Sequence, residues 1–147
     1  YIINWFSNMG PLDESFYYQA IEYRTVENFY QAMKLPKDRL DLRREIAMMN
    51  PFESKKAIRD NKYQWRSDWN KEESIRVMDF ALRKKFTRLT SWGKRLLEAE
   101  GEIIEANNWH DNFWGDCVCD KCKDIEGENY LGKLLTKIRE EIFLTTL

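Results

Sequence analysis

Glycine and proline are scarce in this chain, six and three among 147 residues. That scarcity excludes collagen-like and low-complexity architectures and leaves no Pro/Gly/Ser linker on which a second domain would be strung. Cysteine is also sparse: three residues, an odd number, at Cys117, Cys119 and Cys122. They cannot make the paired framework of a small secreted domain. No apolar run is long enough to span a bilayer, and the first residues lack the charged-then-apolar pattern of a secretory leader. Neither sign of charge prevails, with a net −1, so affinity drawn from a generally basic surface is excluded. The expectation is one soluble, cytoplasmic domain over residues 1–147, with no membrane contact. The one histidine stands in a loop and no Gly-x-Ser-x-Gly elbow exists, which excludes a serine-type triad. The segment from Gly127 to Gly132 lacks the preceding strand that a phosphate-binding loop requires.

What the chain does hold is apolar and aromatic mass, 43% and 14% of residues, enough for a packed core. Short strands are expected at Ile2 to Phe6 and at Phe16-Tyr17-Tyr18, around a turn at Gly10-Pro11. Thr25 is a helix N-cap, and that helix runs to Leu35 before Pro36. A second helix covers Leu40 to Met49. Asn50-Pro51-Phe52-Glu53 combines an N-cap, a proline at the first helical position and a capping-box acid. Asn70 and Glu73 open what reads as the longest helix, Lys71 to Arg88. Thr90 caps another, ended by Gly101. Glu102 to Ala106 reads as a short strand, and Leu131 to Phe143 as the closing helix. The fold class is α+β, helix-dominated with a small β component.

Two helices carry irregular residues. The long helix has an apolar stripe of Ile75, Met78, Ala81, Leu82, Phe86 and Leu89. At about 100° per residue, Lys85 projects only about 20° from Met78 and so lies inside that stripe. A lysine there snorkels out, finds a carboxylate, or loses its proton as a nucleophilic amine does. On the Thr25-capped helix, Glu27, Gln31 and Lys34 form a polar strip beside Val26, Phe29, Tyr30 and Met33. A carboxylate among aromatics suits a general acid; the alternative is a surface acid favoured by the helix dipole. Between Arg76 and Arg95, seven basic residues face one acid, Asp79, a patch able to meet phosphates or simply a solvated face.

The densest segment is Asn107 to Cys122, which holds His110, the three cysteines, Trp109, Trp114, Asp111 and Asp116. Its tryptophans suit stacking on a flat base and its aspartates suit a ribose hydroxyl or a water. They equally suit core and turn roles. His110 with Cys117, Cys119 and Cys122 supplies four soft ligands for a structural zinc, but a Cys-x-Cys pair is unusual and no second ligand pair stands elsewhere. No metal is assigned from the sequence, and no cofactor is required; a zinc held by the cysteines stays open.

Several segments together resemble the YbiA-like, or NADAR, family. They are Phe6-Ser7-Asn8; Tyr23-Arg-Thr-Val-Glu27-Asn-Phe-Tyr-Gln-Ala-Met-Lys34; Ala81-Leu-Arg-Lys-Lys85-Phe86; and Asp111-Asn-Phe-Trp114-Gly115-Asp116 followed by Gly127-x-Asn129-x-Leu131-Gly132. The resemblance implies a YbiA-like fold and an N-glycosidase that hydrolyses a ribose C1′–N bond. It implies an ADP-ribosyl or phosphoribosyl substrate: ADP-ribosylated guanine in nucleic acid, or a phosphoribosylamino-pyrimidine of riboflavin synthesis. Glu27 then reads as acid/base, Lys85 as nucleophile with Lys34 in reserve, and Asp116 as a further catalytic candidate. Phe6, Ser7, Asn8, Tyr23, Asp111, Trp114, Gly115 and Asn129 read as substrate-binding, with Tyr23 and Trp114 sandwiching the base. Tyr23 replaces a tryptophan common in the family, and the cysteine segment extends a linker that is usually glycine-rich. The alternatives are a non-catalytic ADP-ribose or nucleotide-binding module and a zinc-stapled scaffold.

Overall fold

The computed structural model describes residues 7–60 and 62–147; the expected strand at Ile2 to Phe6 and the candidate Phe6 lie outside them. Two compact units emerge, Asn8–Lys85 and a second comprising Ser7 and Phe86–Leu147. Helices dominate both, with only short sheets.

The first unit opens with an antiparallel hairpin, β1 (Pro11–Tyr18) and β2 (Ile21–Thr25). Its turn residues Gln19 and Ala20 have φ of 53° and 62°, two consecutive left-handed positions as a type I′ turn demands. Thr25 ends β2 and caps α1 (Val26–Ala32), its hydroxyl accepting from the Asn28 N–H at 3.0 Å. Every residue of α1 is buried, so this short helix is an axle rather than an amphipathic cover. It packs against α2 (Leu40–Met48), α3 (Pro51–Arg59) and α4 (Lys71–Lys85). Phe29 meets Phe16, Tyr18, Tyr23 and Phe80 to form the aromatic heart. Asn28 Nδ2 donates to the Ile46 and Met49 carbonyls, both at 2.9 Å, satisfying the end of α2 from within α1.

α1 stops at Ala32, not Leu35. Lys34 and Leu35 donate back to Gln31 and Ala32 at 3.2 and 3.1 Å, i→i−3 bonds that wind the last turn tighter before proline. α3 starts as expected, with the Asn50 side chain accepting from Phe52 N–H at 2.9 Å and Pro51 at the first helical position. α4 ends at Lys85 rather than Arg88, and Leu89, assigned to its stripe, is exposed.

In the second unit, α5 (Ser91–Glu98) is capped by Thr90, whose hydroxyl accepts from Gly93 N–H at 3.0 Å. It packs on α6 (Tyr130–Thr145). At 16 residues α6 exceeds the 15 of α4, correcting the expectation that α4 is longest. The strand expected at Glu102 to Ala106 is reduced to β3 (Ala106–Asn107), paired in parallel with β4 (Asp116–Cys117). Among the described residues, no helix is long and apolar enough to cross a membrane.

Candidate functional site

Glu27 stands in the first turn of α1, where helix N-termini favour an anion, yet it is only 6% exposed. Its Oε1 accepts from Gln31 Nε2, one turn on, at 2.7 Å. Its backbone N–H donates to the Asn8 carbonyl at 3.1 Å. Asn8 Nδ2 in turn donates to Met78 Sδ at 3.5 Å, so one asparagine joins the start of α1 to the middle of α4. Asn8 Oδ1 and Gln31 Oε1 are both buried and, among the described residues, accept no hydrogen bond. Buried acceptors without donors are costly in a finished core. Beside a buried carboxylate they are the groups a ligand's N–H or O–H would satisfy.

Two lysines serve this unit. Lys34 follows α1, its Nζ 4.8 Å from the ring centres of both Tyr30 and Trp65. Burial pushes its amine down to about 8, against the upward pull of the Glu27 carboxylate. Lys85 closes α4, one of the largest fully buried side chains, at 1% exposure. Burial also holds its amine down at about 8, with Asp13 pulling it up. The snorkelling alternative does not apply: the stripe buries this lysine together with Met78, Ala81 and Leu82.

The remaining first-unit assignment is corrected. Tyr23 is 0% exposed, with its ring against Phe16 and Phe29 and its phenol raised to about 12 by burial. It belongs to the aromatic core and offers no open face for a base. Three of the seven basic residues between Arg76 and Arg95 are already engaged or internal. Arg76 bonds Glu73, Arg83 bonds Asp79, and Lys85 is internal.

In the second unit, Asp111, Trp114, Gly115, Asp116 and Asn129 are brought into one knot. Asp111 Oδ1 accepts from Phe113 and Trp114 N–H at 3.1 and 2.9 Å. Asp116 Oδ1 accepts from Gly127 N–H at 3.0 Å. Asn129, left-handed at φ 51°, accepts from Glu105 N–H and donates to the Ile103 carbonyl. A side chain on Gly115 would meet the Glu105 carbonyl at 2.0 Å. Ser7 and Trp114 are half-buried. Asp111, Asp116 and Asn129 therefore already hold backbone, shaping the loop that carries Trp114. His110 and the three cysteines converge on the same loop. Sequence reasoning missed Trp65, which lies in no motif, and left Gln31 out of the site although it belongs to the polar strip.

The NADAR domain family model matches residues 2–143. The chain belongs to the NADAR domain family. A protein of Nostoc punctiforme named as an N-glycosidase is 34% identical over 139 residues, which cover 93% of this chain and 84% of that protein. The chloroplastic riboflavin biosynthesis protein PYRR of Zea mays is 33% identical over 159 residues, 98% of this chain but 24% of that much longer protein. A riboflavin biosynthesis protein of Vibrio vulnificus is 31% identical over 79% of this chain and 30% of its own length. The NMR structure of Escherichia coli YbiA superposes with a TM-score of 0.75 at 27% identity, covering 96% of this chain and 79% of that one. The NADAR fold is thus the helix-dominated α+β architecture described above.

Proposed function

We propose that this NADAR protein is an N-glycosidase that hydrolyses the C1′–N bond of an ADP-ribosyl or phosphoribosyl substrate. Buried Glu27, flanked by acceptors of Asn8 and Gln31 that none of the described residues fills, is the observation that carries the reading. The names of the Nostoc, maize and Vibrio relatives support it.

Glu27 acts as acid/base. As acid it delivers a proton to the ribose ring oxygen as the ring opens, leaving an imine between C1′ and the base nitrogen. A neutral lysine amine adds to C1′, the C1′–N bond breaks, and the base leaves with a proton. Water activated by Glu27 then hydrolyses the lysine iminium, returning the ADP-ribose or phosphoribose with its C1′ hydroxyl and the free amine. Lys85 leads as nucleophile, because an apolar residue would pack its position without the cost of burying an amine, and such costs gather at functional sites. Lys34 is the reserve: its ring contacts give it a structural reason to be there, and it feels Glu27 directly. Asn8, whose carbonyl already accepts the Glu27 N–H, orients the ribose or phosphate.

Borohydride added during turnover traps a lysine iminium, and peptide mapping shows whether it sits on Lys85 or Lys34. Two substrates are run in parallel, guanine-linked ADP-ribose on DNA and a phosphoribosylamino-pyrimidine. Release of free base without any adduct removes the covalent step and leaves water attack assisted by Glu27. Binding without release of base makes the protein a recognition module instead.

A further inference from the structure

We propose that His110, Cys117, Cys119 and Cys122 form a structural zinc site in the second unit. The single histidine and all three cysteines of the chain meet there, their ligand atoms all within 4.8 Å of one another. His110 Nδ1 lies 3.3 Å from Cys122 Sγ, 3.4 Å from Cys119 Sγ and 3.9 Å from Cys117 Sγ. Tetrahedral zinc with bonds of about 2.3 Å to sulfur and about 2.0 Å to nitrogen sets nitrogen–sulfur edges of about 3.6 Å. The four atoms stand close to the corners that such an ion requires.

The backbone around them is built to hold this arrangement. His110 keeps φ at 68°, a left-handed conformation that a residue with a side chain holds only when its surroundings enforce it. Asn107, 4% exposed, enforces it. Its Oδ1 accepts from Trp109 and Asp111 N–H at 3.2 and 3.0 Å, and its Nδ2 donates to the Asp111 carbonyl at 2.7 Å. The histidine is thereby clamped on both sides and turned toward the sulfurs. On the other flank, Cys117 N–H donates to Asn112 Oδ1 at 2.9 Å and Cys122 N–H to the Cys119 carbonyl at 3.1 Å.

Three thiols cannot pair off as disulfides, and an imidazole nitrogen facing all three sulfurs serves no disulfide. Three thiolates and one imidazole fill four positions and leave none open for a water or substrate, so the ion is structural and not catalytic. The ion fastens the loop that carries Asp111, Trp114 and Asp116. The inference stands independently of the glycosidase reading.

The test uses the whole chain, expressed with added zinc and purified with reductant and no chelator. Elemental analysis is expected to find about one zinc per chain. Cobalt exchanged into the chelated protein is expected to show thiolate-to-metal charge transfer and the intense d–d bands of a tetrahedral centre. Cys119→Ser, at the half-exposed ligand, and His110→Asn each weaken zinc binding by more than about tenfold, the least that losses around zinc sites produce. Should a variant fail to fold, the zinc content and cobalt spectrum of the unaltered chain still decide. No zinc, no charge-transfer band and three freely reactive thiols overturn the proposal. Zinc binding that is equally tight in both variants does the same.

Discussion

Burying an amine at position 85 trades hydration for a place among methionine, alanine and leucine side chains, and the trade can be measured. Holding the amine at about 8 rather than its ordinary 10.5 corresponds to about 3 kcal/mol at neutral pH. Lys85→Met keeps the length and removes that cost together with the attraction of Asp13, so its melting temperature stays close to that of the parent. Iminium trapping and base release are lost in the same variant. A large drop in melting temperature would show Lys85 to be a structural residue. Glu27→Gln is expected to lower kcat by about 10²–10⁴-fold. Its stability changes by less than about 1 kcal/mol, because an amide keeps an oxygen for Gln31. Full activity in that variant removes Glu27 from the mechanism. The face on which Lys85 lies was legible from helix periodicity, whereas its burial was not, because the same pattern also suits a lysine that snorkels out. The rings around Lys34 were only half legible. Tyr30 lies about one turn back, in α1, whereas Trp65 arrives from a distant loop that no local pattern locates. Tyr23 misled for the opposite reason: a motif names a residue without saying which way a strand turns it.

Caps and glycines set the elements, and their replacement tests how the elements were assigned. Thr25→Ala removes the acceptor for Asn28 N–H at the head of a helix buried along its whole length. A loss of about 1–2 kcal/mol in urea denaturation is expected. Gly132→Ala in α6 places a Cβ 2.1 Å from the Ile103 carbonyl. The backbone there must move, so destabilisation of about 1–3 kcal/mol or more is expected instead of the usual helix gain from alanine. A stabilised Gly132→Ala would mean that Ile103 and α6 are not packed this closely. Thr25, Asn50 and Thr90 announced their helices because capping is a local bargain between a side chain and the nearest amides. The β1–β2 hairpin gave no such signal. Its turn is Gln19-Ala20, without the glycine or asparagine that normally marks left-handed turn positions. The parallel pair β3–β4 was legible only at one end, where the strand expected at Glu102 to Ala106 touches β3, because each strand is two residues long.

At the level of the whole molecule, the ionisable groups predict a stability curve with two shoulders. Glu73 bonds Arg76 and buried Arg66, and these contacts hold its carboxyl down at about 2. Its folded pKa lies below its ordinary 4.5, so its contribution is complete above about 4.5 and is lost as pH falls toward about 2. Lys34 and Lys85 act at the other end with amines near 8. Below 8 both states carry the proton and the folded state bears the full burial cost. Between about 8 and 10.5 the unfolded chain binds more protons, so stability rises with pH through that window. Urea midpoints measured from pH 3 to 10 are therefore expected to climb through acid, level off near neutrality, and climb again above about 8. Lys85→Met should remove about half of the alkaline rise, the Lys34 share remaining, and leave the acid limb unchanged, whereas Glu73→Gln should lessen the acid limb alone. An alkaline slope identical in Lys85→Met and the parent would mean that the amine at position 85 titrates as an exposed lysine does, and the case for it as a neutral nucleophile would fall with that result.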